Sequence, residues 1–90
     1  MVKQKQKPVS DEHGLIDSGR ELILFNDDNN TFDYVIQTLI DVCDHEQLQA
    51  EQCAYIAHFR GKCAVKSGFL GELKPKFEEM TRRGLTVSID

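Results

Sequence analysis

The run Glu21 to Phe25 (ELILF) is followed at once by Asn26-Asp27-Asp28-Asn29-Asn30, and this junction restricts the chain more than any other stretch. The apolar run is too short for a helix and is cut off by consecutive turn formers, so it reads as a buried strand running into a turn. Beyond the turn, Phe32, Val35, Ile36, Leu39, Val42 and Cys43 recur at helical spacing, with Asn30 expected as the N-cap and Asp33 in the first turn. The first helix is therefore expected over about 31–44. Ala50, Cys53, Ala54 and Ala57 repeat the pattern after a polar break at Asp44 to Gln47, which predicts a second helix to about His58 with a face of small residues. Arg60-Gly61 turns the chain into a short strand, Lys62 to Val65, that Ser67-Gly68 should break. Leu73, Phe77 and Met80 mark a third helix, expected to begin near Leu73 because Pro75 is tolerated only in a first turn. Gly84 stands where a helix-ending glycine belongs, and Leu85, Val87 and Ile89 then alternate with polar residues in a last half-buried strand. The order βααβαβ predicts an α+β fold, a three-stranded, mainly antiparallel sheet with three helices packed on one face.

Ninety residues suffice for one domain and not for two. With 40% apolar and 29% charged residues the bulk of the chain is of globular type. The first stretch, MVKQKQKPVSDEHGLIDSGR, has only Val9, Leu15 and Ile16 to bury, so residues 1–20 are expected to be a flexible, disordered N-terminal extension and 21–90 the folded domain. Met1 to Ser10 lacks the apolar stretch of a signal peptide, and no apolar run approaches the roughly 20 residues of a membrane span. Cys43, Cys53 and Cys63 include no close-spaced pair, which fits a reducing compartment, so the cytoplasm is expected and a membrane is not. A net charge of −4 with no basic block in the folded part leaves no electrostatic footprint for nucleic acid. A monomer is expected when the chain is free.

The Asn-Asp cluster brings two carboxylates and three amides to the end of a buried strand. Read locally, it is a polar turn with a cap. A functional reading needs a second group converging on it, and His58 at the end of the second helix is the candidate, although a histidine there is by itself an ordinary packing residue. Cys43, His45, Cys53, His58 and Cys63 match no zinc spacing, so neither a metal nor any other cofactor is expected. Cysteines on apolar helix faces are normally inert, and all three are read as lying at such positions. No phosphate-binding loop, metalloprotease helix or nucleophile elbow is present in the sequence, so the chain is not expected to be an enzyme.

Two blocks, LILFNDDNNTFDYV and YIAHFRGK, together carry a specific signal. They resemble the ClpS family of N-degron adaptors, whose hallmark is a strand ending in Asn-Asp-Asp and a helix ending in His-x-x-Gly-Lys. The resemblance runs from about Leu22 to Ile89 with no gap between the blocks. It implies an adaptor that binds the free N-terminal, bulky hydrophobic residue of substrate proteins and delivers them to a Clp AAA+ unfoldase of ClpA or ClpC type for degradation. Carried over, the residues that hold the α-ammonium are Asn26, Asp28 and His58, with Asp27 either water-linked or structural. Alternation along an extended segment agrees, since Asn26 and Asp28 face one way and Asp27 the other.

The resemblance also implies a hydrophobic pocket lined by Phe32, Val35, Ala54, Ala57 and Leu85 with Asn30 at its rim, though Val35 and Leu85 read equally well as core. Phe32 stands where the family usually has a methionine, and Ala54 and Ala57 where it has methionine and valine. Asn30-Thr31 replaces the usual Thr-Pro, and the third helix reads about one turn short. Lys74, in Glu72-Leu73-Lys74, is the residue expected to dock the unfoldase. Two other readings compete: a protein-docking domain of similar fold with no such pocket, and a small hydrolase using His58 with Asp28, which lacks a nucleophile and an oxyanion donor.

Overall fold

The computed structural model describes residues 19–90, so the expectation for the first eighteen residues lies outside the described part. The elements are β1 (Arg20–Phe25), α1 (Phe32–Cys43), α2 (Gln47–Arg60), β2 (Lys62–Gly68), α3 (Leu70–Arg82) and β3 (Val87–Ile89). They follow the βααβαβ order, and β1 begins at Arg20, one residue before the expected strand. The sheet has the order β2-β1-β3 with both pairings antiparallel. The most apolar strand takes the centre: Leu22, Ile23 and Leu24 are all buried. Leu22 and Leu24 join Leu39, Leu73 and Met80 from α1 and α3 in the core, which sits between sheet and helices. Among the described residues no helix is long and apolar enough to cross a membrane.

The second strand runs on through Ser67 and Gly68, past its expected end. Glu21 pairs with Ser67 and Arg20 with Gly68, so the ladder offered by β1 overrides the local preference of Ser-Gly to break it. The same ladder contains a bulge, because Leu22 pairs with Lys66 and Ile23 with Ala64, leaving Val65 as the extra residue. Its carbonyl accepts a 2.7 Å hydrogen bond from Nε2–H of the buried His45, in the short connection between α1 and α2. Nδ1 is buried, with no hydrogen-bond partner among the described residues.

Helix ends differ from expectation in two places. Thr31, not Asn30, caps α1: its side-chain oxygen accepts from the Tyr34 amide at 3.1 Å. Asn30 is engaged elsewhere, as described below. α3 begins at Leu70, which puts Pro75 in its second turn. The extra turn forms because Glu72 reaches back to the Phe69 amide at 3.3 Å and the amides of Glu72 and Leu73 both donate to the Phe69 carbonyl. Pro75 withholds a hydrogen bond only from Gly71, which is exposed to water.

The helix ends in a Schellman motif. Gly84 takes the left-handed conformation (φ 88°), its amide donates to Thr81, and the Leu85 amide donates to Met80, both at 3.0 Å. Leu85 therefore folds back beside Met80 in the core and lies outside β3, which is shorter than the alternating pattern predicts.

Candidate functional site

The site begins where β1 stops. The Phe25 amide donates to the Thr86 carbonyl and the Asn26 amide to the Gly61 carbonyl, each at 2.9 Å. One bond ties the strand end to the segment before β3, the other to the end of α2. The Asp27 carboxylate then organises the turn: Oδ1 accepts from the amides of Asn29 and Asn30 at 2.9 Å, and Asn30 Nδ2 donates to both of its oxygens. Burial raises the pKa of Asp27, but the side-chain bond from Asn30 and the amides of Asn30 and Asn29 outweigh it and hold the carboxyl below its ordinary value. Asn30 Nδ2 also reaches the Gly84 carbonyl at 3.0 Å, pinning the turn to the corner after α3. Asn30 is thus a strut within the turn, which is why the capping role falls to Thr31.

The second component is the last turn of α2. Gly61 ends the helix in the left-handed region (φ 96°), with its amide donating to Ala57 at 2.9 Å. His58 lies three residues earlier, exposed, its ring centroid 5.2 Å from that of Phe32 at the start of α1.

Between these parts lies a cavity of about 230 Å³. Asn26, Asp27, Asp28, Asn30 and His58 provide its polar lining, while Phe32, Val35, Ala54 and Ala57 contribute apolar surface. Leu24 and Phe25 line it as well. Sequence reasoning assigned both to the strand alone, although their position directly before Asn26 places them beside whatever that turn surrounds. Leu85 is absent from the lining, because the Schellman motif turns it into the core. Lys74 is exposed on α3 and does not line the cavity.

No hydrogen bond or ion pair joins the side chain of Asn26, Asp28 or His58 to another of the described residues. The cavity therefore combines an apolar wall with uncommitted acceptors, a set suited to a ligand that carries both hydrogen-bond donors and an apolar group.

Two of the three thiols are buried. Burial pushes Cys43 up to about 11, even against the attraction of Lys76 and Lys66. Cys53 is pushed up to about 12 by burial and then by the neighbouring Cys63. Both are protonated at neutral pH and lack nucleophilic character. Cys63 is half-buried on β2, not on a helix face as expected. No group of three or more His, Cys, Asp or Glu side chains among the described residues is arranged to hold a metal ion.

The family model described as "ATP-dependent Clp protease adaptor protein ClpS" matches residues 18–88. No curated protein matches the sequence. Among solved structures, the fold is similar to that of Agrobacterium tumefaciens ClpS2 bound to L-phenylalaninamide, with a TM-score of 0.69 and 18% identity, over 82% of this chain and 96% of that one. At this identity the likeness is one of fold.

Proposed function

The chain belongs to the ClpS family of ATP-dependent Clp protease adaptors, and we propose that it binds the free N-terminal residue of substrate proteins and delivers them, in the cytoplasm, to a Clp AAA+ unfoldase. The side chain of that residue enters the cavity, and its α-ammonium lies among Asn26, Asp28 and His58. The observation that carries this reading is the set of three side chains, without hydrogen-bond or ion-pair partners among the described residues, on the lining of one small cavity. An ammonium has three donors, and an amide oxygen, a carboxylate and a neutral imidazole nitrogen are three acceptors. Asp27 is structural in this scheme, since its oxygens serve the turn. At about 230 Å³ the cavity suits a single bulky side chain; pockets enclosing drug-sized ligands run to roughly 300–1,000 Å³. The ligand of the similar ClpS2 structure, an amino-acid amide with an aromatic side chain, is of this class.

The test is a series of peptides that differ only at residue one, each with a free and an acetylated N-terminus. Binding should require the free amine and a bulky apolar first residue. His58→Ala and Asn26→Ala should each weaken it by about 2–4 kcal/mol, the usual loss when a charged group is stripped of a partner. Binding insensitive to acetylation would overturn the reading in favour of a general docking domain. Delivery is tested separately: Lys74→Glu, on the exposed face of α3, should slow degradation by the unfoldase-protease at unchanged peptide affinity.

A further inference from the structure

Phe32, Tyr55, His58 and Phe59 form one continuous patch of rings. The centroids of Phe32 and Tyr55 are 5.3 Å apart, those of Tyr55 and Phe59 are 5.4 Å apart with the planes at 15°, and His58 meets Phe59 edge-on at 4.8 Å. Tyr55 and Phe59 are four residues apart and so share one stripe of α2. That stripe faces water: Tyr55 is 56% and Phe59 69% exposed. An outer helix face normally carries charged or polar residues, and contiguous exposed aromatics mark a contact surface. Phe32 and His58 belong to both the patch and the cavity, so the patch is the cavity's outer lip.

We infer that Tyr55 and Phe59 form a second subsite, which takes an aromatic or long apolar side chain at the third residue of the polypeptide whose first residue fills the cavity. The inference rests on the reading of the cavity given above. In an extended chain the first and third side chains project from the same face, about 6.5–7 Å apart, while the second points away. Phe32 lines the cavity with Tyr55 5.3 Å from it and Phe59 5.4 Å from Tyr55, so a chain that leaves the cavity over Phe32 brings its third side chain onto Tyr55 and Phe59. The apolar stripe of α2 continues from Tyr55 to Ile56 and Leu48, which are 43% and 65% exposed and do not line the cavity. Tyr55 and Phe59 adjoin the cavity through Phe32 and His58, and this continuity matches one further side chain of a ligand already held by the cavity.

The experiment uses Phe-Gly-X peptides with a common soluble tail and X as Phe, Leu, Gly or Asp, titrated by fluorescence anisotropy against the full chain and its Tyr55→Ala/Phe59→Ala variant. The wild type should bind X = Phe about three- to tenfold more tightly than X = Gly, and the ratio should fall within about twofold in the variant. The readout is a ratio within one protein, so any change in first-residue binding cancels. Equal affinities for all X in the wild type, with the free first residue still required, would overturn the subsite and leave the cavity reading standing. Failure of every peptide to bind would remove both. A ratio unchanged in the variant would also overturn the assignment. So would a concentration-dependent dimer in sedimentation velocity that the variant loses, which would give the patch to a second copy.

Discussion

The backbone amide of Asn26 donates a 2.9 Å hydrogen bond to the carbonyl of Gly61, joining the first residue of the polar turn to the residue that ends α2. Through this bond the stretch that carries Asp28 and the helix end that carries His58 are held to each other by backbone. Gly61 makes it with a φ of 96°, and a Cβ there would meet no atom within 4 Å, so the obstacle to another residue is the chain conformation and not space. Gly61→Ala should cost about 1–2 kcal/mol. Each kcal/mol corresponds to about 4–8 °C in the melting temperature of a domain this size. Peptide affinity should fall as well, since helix end and turn separate when the strain is relieved. An unchanged melting curve would show that the backbone finds another way to close α2.

Asp27 makes stability depend on acid. Its carboxylate is held below its ordinary pKa by the bonds from Asn30 and Asn29, so the folded chain binds this proton more weakly than the unfolded chain does. The contribution is complete above the ordinary carboxylate range and fades as the pH falls below about 4. Asp27→Ala should lower stability by about 0.5–2 kcal/mol at pH 7, as the loss of a comparable cap does. The difference between denaturant melts of the two proteins should shrink as the pH is lowered through the carboxylate range. A difference that persists undiminished at pH 3 would mean that the neutral carboxyl serves the turn equally well.

Ala54 is 3% exposed yet stands outside the contiguous core, on the cavity lining. Ala54→Met should therefore fill the cavity and leave the fold little changed, with a melting temperature within a few degrees of the wild type. Affinity for Phe- or Trp-initiated peptides should drop about tenfold, the scale on which a pocket responds to a few added heavy atoms. Leu-initiated peptides should lose less. Calorimetric titration of the three peptides against both proteins gives the comparison, and equal losses would place the first side chain elsewhere.

His45 holds the bulge. His45→Ala removes the donor to the Val65 carbonyl and opens space at a buried position, and should cost about 2–3 kcal/mol. Amide exchange should quicken along β2 around Val65. If protection there is unaffected, the bulge is set by the β1 ladder without help from the histidine.

Much of this architecture was legible because it rests on periodicities. The apolar run of β1, the helical spacing from Phe32 to Cys43 and the glycines at 61 and 84 each report a local preference that the fold does not overrule. What escaped depends on contacts between distant segments. Asn30 and Thr31 are both good caps, and only the pull of Asp27 and Gly84 on Asn30 decides between them. Pro75 argued for a late start to α3, yet Glu72 and the Phe69 carbonyl together outweigh it. Leu85 fits the alternation of β3, but the motif that ends α3 claims it first. At the cavity, Ala54 and Ala57 were legible through the resemblance of their motif. Leu24 and Phe25 were hidden because a buried strand and a cavity floor are written in the same residues. The ring stripe of Tyr55 and Phe59 went unremarked, since an exposed aromatic is conspicuous only once the neighbouring surface is known.

The bonds from Phe25 to Thr86 and from Asn30 to Gly84 span most of the domain's sequence. Synthesis proceeds from the N-terminus at roughly 5–20 residues per second. Both sequence blocks of the site are translated before those two anchors. A nascent chain that already contains Asn26, Asp28 and His58 still has a central strand with one bare edge and a turn tethered on one side only. On the reading proposed above, the site is complete only once the segment from Gly84 to Ile89 is in place to close the sheet and tether the turn, and a chain still lacking it has no grip with which to sequester substrate.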